Sequence, residues 1–196
     1  MYLYGASGHA KVIIEILEAN DVAVEGLFDD NEQVAELQGY PVQRYDAACD
    51  VEKIISIGNN SIRKQIVERI GGRYGKAIHP SAIISPRATI GEGTVVMHGA
   101  IVQADACVGR HAIVNTGAKI DHECQIGDYA HISPGVTLCG NVSVGEGTQI
   151  GVGSVVVPGI RIGKWSLVCA GSVVTKDIPD YCIASGNRCQ VIKFIK

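Results

Sequence analysis

The chain has 196 residues, 46% of them hydrophobic, and a formal net charge of -3. That composition supports one large or two small buried cores. The near-balanced charge gives no basic footprint for nucleic acid, and no apolar stretch has the length of a membrane span or the flanks of a signal peptide, so the expected compartment is the cytoplasm. The cysteines, Cys49, Cys107, Cys124, Cys139, Cys169, Cys182 and Cys189, form no C-x-x-C pair. Reduced thiols account for them better than a disulfide framework or a zinc site.

Residues 1–76 read as a small α/β unit. "MYLYGASGHAKVIIEILEAN" is a strand, a glycine turn and an amphipathic helix with apolar Val12, Ile13, Ile16 and Leu17. "VAVEGLFDD" is a second strand ending at Asp29 and Asp30, and "VEKIISIGNN" is a third ending at Gly58, Asn59 and Asn60, followed by a helix from about Ser61 to Ile70. This order predicts a parallel, Rossmann-like sheet that binds ligands at the carboxyl ends of its strands. Gly5 and Gly8 would let a phosphate approach the backbone N–H groups of the first helix, and Asp29 lies where a ribose partner belongs. A tight turn without a ligand is the plainer alternative. G-A-S-G-H lacks the full G-x-G-x-x-G spacing, which disfavours NAD.

Residues 77–196 change period. Every sixth residue from Ile78 through Ile84, Ile90 and Val96 to Val174 is aliphatic, and Gly91, Gly109, Gly127, Gly145 and Gly163 recur every eighteen. An α-helix would rotate a six-residue stripe around its axis, whereas short extended segments joined by corners keep it on one side. The pattern therefore predicts a three-sided β-helix with eighteen residues per coil, aliphatic side chains inward, and coils stacked about 4.8 Å apart. Periodicity leaves its hand open.

The unbroken aliphatic-Gly-x-x-small-x cadence of residues 78–179 resembles the hexapeptide-repeat acyltransferases. That resemblance implies a left-handed parallel β-helix and a homotrimer. "YGASGHAKVI", "LFDD", "SIGNN.IRK", "AIHPSAIIS" and the "DHE" segment narrow the likeness to PglD-like nucleotide-sugar N-acetyltransferases, related to sialic acid O-acetyltransferases. It extends over nearly the whole chain. It implies acetyl-CoA as co-substrate and no metal, with a UDP-4-amino-4,6-dideoxy-N-acetylhexosamine of the bacillosamine type as acceptor. Gly8, Asp29, Asp30, Gly58, Asn59 and Arg63 would then lie near the nucleotide. The tail departs from this pattern at "GNRCQ", where relatives read G-x-P-A-K.

Within the repeat, "IDHECQIGDYAHISPG" at residues 120–135 carries His122, His131 and acidic neighbours. His122 and Glu123 fall away from the inward position of their hexad, on a corner. Acetyl transfer from a thioester to an amine needs a base, and an imidazole is largely neutral at pH 7. Asp121 or Glu123 could orient it; the resemblance selects Glu123. One coil onward lies Gly140, whose bare backbone N–H could donate to the thioester carbonyl as charge develops there. Gly135, Gly153 and Gly171 form a further column that is either a groove for the pantetheine arm or a set of ordinary corner glycines. Lys176 is expected near the charged end of CoA, and His131 near the acetyl donor by resemblance.

Three other functions compete. A zinc lyase on the same prism uses two histidines five residues apart, and none of His9, His79, His98, His111, His122 and His131 has that spacing. A sensor of nucleotide sugars would bind without turnover, which the His-Glu pair argues against. O-acetylation of sialic acid, or N-acetylation of a GDP- or dTDP-amino sugar, asks for the same base and stays open.

Overall fold

The computed structural model describes residues 1–46 and 50–195, so Cys49 lies outside the described residues. Its first part is built on β1 (Tyr2–Tyr4), α1 (Gly8–Glu18), β2 (Gly26–Phe28), β3 (Glu36–Leu37), β4 (Tyr40–Gln43), β5 (Lys53–Ile55) and α2 (Asn60–Ile70). The sheet order is β3-β4-β2-β1-β5, and β1 pairs in parallel with both β2 and β5. These three strands are covered on both faces, which is why they read as continuous apolar runs. The hairpin of β3 and β4 was not foreseen. It turns at Gln38 and Gly39, with φ of 50° and 84°, the left-handed values that a two-residue hairpin loop requires.

From Ala77 onward the chain winds into a three-sided parallel solenoid of two-residue strands. One face carries strands from Ile83–Ile84 to Val173–Val174, a second from Thr89–Ile90 to Arg161–Ile162, and the third from Ala77–Ile78 to Leu167–Val168. Each strand pairs with the strand eighteen residues on, as in Lys119↔Thr137 and Ile120↔Leu138. The period follows from the side chains. Val96, Val102, Val108, Val114 and Ile120 point inward and begin a buried column that continues to Val174. At the corners only small residues fit, and the polar ones among them bond to backbone: Thr94 Oγ1 donates to Gly109 O at 2.7 Å and Thr148 Oγ1 to Gly163 O at 2.6 Å. A hairpin, Cys182–Ser185 with Gln190–Phe194, extends the third face.

The front unit docks on that third face. The outward residues Ala77, Val95 and Ile113 are buried in one cluster with Leu3, Ala10, Ile13, Ile14 and Leu17. Higher on the same face the outward positions become His131 and Gln149, and the contact becomes polar. Among the described residues no helix is long and apolar enough to cross a membrane.

Candidate active site

The corner between the first and second faces is a stack of turns whose register places residues 122, 140 and 158 one above another. His122 opens one of them, with its side chain 57% exposed. Its Nδ1 lies 3.0 Å from Glu123 Oε2, and its backbone N–H donates to Asp121 Oδ1 at 2.8 Å. Glu123 has φ of 61° and donates its own N–H to Ala104 O, so the turn is fixed by the rung below. Asp121 thus holds the backbone of the turn, while Glu123 meets the imidazole. The second ring nitrogen faces the next rung: a Cβ on Gly140 would come within 2.5 Å of His122 Nε2 and Cε1. Glycine there lets the ring stand this close; a larger residue would have to displace the exposed imidazole. Gly140 N–H has no hydrogen-bond acceptor among the described residues.

The groove along this corner has a volume of about 470 Å³ and is lined by Asp121, His122, Cys139, Gly140, Asn141, Pro158 and Gly159. The sequence reading missed Cys139, Asn141 and Pro158, although adding eighteen to Asp121, Glu123 and Gly140 finds them. Pro158 stands above Gly140 in the column and carries no backbone N–H, so Gly140 is the rung that offers a donor beside His122. Lys176 is exposed in the last turn of this corner, which is two residues shorter because Ile178 pairs with Ile162.

Other expected site residues lie elsewhere. Gly135, Gly153 and Gly171 have φ of 66°, 66° and 67° on the corner between the third and first faces, each open to solvent on its Cβ side. Within one chain they do not adjoin His122. His131 is not on the His122 edge either. It projects from the third face beneath the front unit, with Nε2 3.0 Å from Asn115 Nδ2 and Nδ1 buried without a hydrogen-bond partner among the described residues. Burial first, then the charges of Arg63 and His9, push it down to about 4. The physical reason is the docking of the front unit, which brings Arg63 and His9 onto the face where position 131 points outward.

At the carboxyl ends of the front strands, Gly5 (φ 111°) turns the chain sharply and Gly8 opens α1 with free space around it. Ser7 caps α1 without a side-chain bond. Asp29 Oδ2 accepts from Ala6 N at 2.6 Å, and Oδ1 from Asn31 N at 2.8 Å, which ties the glycine turn to the end of β2. Asp30 is engaged by Tyr4 OH at 2.7 Å and Arg69 Nη2 at 2.9 Å. The Tyr4 hydrogen bond, then the one from Arg69, hold its carboxyl below the usual range. Asn59 Oδ1 caps α2 through Ile62 N at 3.0 Å, and Gly58 borders it with open space. Gly8, Asp29, Gly58 and Asn59 thus share one rim. Arg63 leaves that group: it is 1% exposed and all its N–H donors are engaged inside the protein. It has no donor left for a nucleotide. Among the described residues no three His, Cys, Asp or Glu side chains converge to hold a metal.

Comparison with known proteins accords with both halves. The PglD N-terminal domain family matches residues 1–70. UDP-N-acetylbacillosamine N-acetyltransferase of Bacillus subtilis is 46% identical over 109 residues, 48% of this chain and 50% of that protein, so the match spans about half of this curated relative. The structure of PerB from Caulobacter crescentus, in complex with CoA and GDP-perosamine, superposes with a TM-score of 0.93 at 38% identity over 98% of this chain and 96% of that one. The acetyltransferase domain of PglB from Neisseria gonorrhoeae, in complex with acetyl coenzyme A, gives 0.88 at 34% identity over 97% and 98%. The solenoid is thus the left-handed β-helix of these proteins, and the chain belongs to the PglD-like family of hexapeptide-repeat sugar N-acetyltransferases.

Proposed function

We propose that this chain transfers the acetyl group of acetyl-CoA to the 4-amino group of a UDP-4-amino-4,6-dideoxy-N-acetylhexosamine, as a cytoplasmic homotrimer. One observation carries the reading: His122 stands on an open edge with Nδ1 on Glu123 and Nε2 against the bare backbone of Gly140. In that geometry Nε2 takes a proton from the attacking amine while the new N–C bond forms and the thioester C–S bond breaks. Glu123 favours the imidazolium that results, and the departing thiolate accepts a proton. Gly140 N–H donates to the thioester oxygen, a contribution on the order of 3 kcal/mol for a well-aimed donor. The groove fits a slender thioester arm because position 140 has no side chain, and Lys176 would meet phosphates farther up the edge.

The rim of Gly8, Gly58 and Asn59 is the proposed nucleotide site, with Asp29 and Asp30 shaping it from behind. The 46% identity to a UDP-N-acetylbacillosamine N-acetyltransferase argues for UDP; GDP-perosamine in the PerB structure makes GDP the second candidate. Trimerisation is supported by apolar side chains left outside, including Ile83 at 65%, Ile192 at 64% and Phe194 at 68% exposure. Gly135, Gly153 and Gly171, with open space on their Cβ side, would then belong to the wall that one protomer offers to its neighbour's His122 edge.

The test is thiol release from acetyl-CoA with the UDP-4-amino sugar, GDP-perosamine, a dTDP-4-amino sugar and sialic acid. Release with the UDP sugar, giving an N-acetylated product, is expected. Release with sialic acid alone would make the enzyme an O-acetyltransferase, and release with none would refute the reading.

A further inference from the structure

A lone buried cation is a costly way to join two domains, because its desolvation must be met by local acceptors. Arg63, in the first turn of α2, is such a cation. Nε donates to His111 O at 2.8 Å, Nη1 to Ile57 O at 2.9 Å and Gly58 O at 3.2 Å, and Nη2 to Asn60 Oδ1 at 2.9 Å and Tyr129 O at 2.8 Å. His111 and Tyr129 occupy the same corner position in successive coils. Asn60 Nδ2 donates to Gly147 O, one coil higher, at 3.1 Å. Three stacked rungs are therefore capped by two adjacent side chains of one helix turn. Lys64 adds a 2.6 Å ion pair with Glu146.

Stability alone does not explain this choice, since apolar contacts would join the two surfaces without burying a charge. What a guanidinium adds is direction. It is a rigid planar fork, and this one points one way into the prism rungs and the other way into the carbonyls of residues 57 and 58. Those two residues form the loop at the carboxyl end of β5.

We infer that Arg63 is a positioning residue: it sets the height of the Ile57–Gly58 loop against the prism rungs, and so aims the acceptor held at that loop. The inference rests on the proposed reading of the loop as part of the nucleotide site.

Arg63→Lys keeps a cation but cannot bridge loop and rungs together. In the full-length variant, at a temperature where circular dichroism shows the native fold, amide exchange at residues 56–62 should accelerate at least tenfold while residues 132–160 keep wild-type rates. With whichever of GDP-perosamine or the UDP-4-amino sugar the wild type acetylates, the acceptor KM should rise at least tenfold and the acetyl-CoA KM stay within twofold. Should Arg63→Lys not fold, Asn60→Ala, which removes one acceptor of the fork and the Gly147 link, should show the same split at smaller size. Unchanged exchange at 56–62 overturns the inference whatever the enzyme acetylates, and equal changes in both KM values overturn it where there is turnover. Absence of wild-type turnover with both acceptors would instead strike the functional reading, leaving the exchange result to decide the role of Arg63.

Discussion

Two sets of histidines sit on the prism under opposite physical conditions. His122 stands on a solvated corner with a carboxylate beside it, whereas His111 and His131 lie in the seam under the front unit, joined there by His9 from the first turn of α1. Burial pushes all three seam imidazoles down to about 4, and the Arg63 charge adds to the effect in each. The His111 ring stacks 5.3 Å from Tyr129 and meets the edge of Tyr74 at 4.5 Å. One repeat architecture thus leaves one imidazole open to solvent and holds others under a roof, and the difference lies in what covers each position rather than in the residue type.

The largest effect that would sharpen this contrast is on stability. The seam imidazoles are neutral in the folded protein, while the unfolded chain binds protons on them near pH 6.5. The unfolded state therefore holds more protons between about pH 6.5 and 4, so stability is level above that window and falls as pH drops through it. For His111, which is 2% exposed, the full shift corresponds to roughly 3 kcal/mol. Thermal unfolding against pH should show this slope. His111→Asn, which tolerates the φ of 52° there, should flatten it. A melting temperature unchanged from pH 7 to 4.5 would place these rings in water and dissolve the distinction.

A smaller effect should appear on the other side of the comparison. Gly140→Ala introduces a Cβ that the His122 ring cannot accommodate where it stands. The imidazole is exposed and can turn away, so the melting temperature should move by a degree or less while kcat falls about tenfold, or ~1.4 kcal/mol. An alanine variant with wild-type kcat would mean that the ring is not used in this orientation.

Much of this was legible in the sequence because a six-residue repeat constrains every coil. Counting by eighteen put Gly140 over His122, and the strand register places it there. What counting could not supply was which face the front unit covers. Outward residues Ala77, Val95 and Ile113 on the third face are no more apolar than Ile83 and Ile101 on the first, so nothing in the pattern told that His131 would be roofed. Arg63 misled for a related reason. Its acceptors are mostly backbone carbonyls, which every residue has, so no complementary side chain announces the contact. The β3–β4 hairpin, by contrast, had a signal in Gln38-Gly39 between short apolar segments, but strands of two to four residues carry too little alternation to stand out.

The measurement closest to the central claim is single-turnover acetyl transfer by His122→Ala, with binding of acetyl-CoA and of the acceptor followed separately by calorimetry. The open edge as seat of proton transfer predicts both ligands bound with near-native affinity and a rate lower by about 10²-fold or more. Transfer at the wild-type rate with both ligands bound would contradict it.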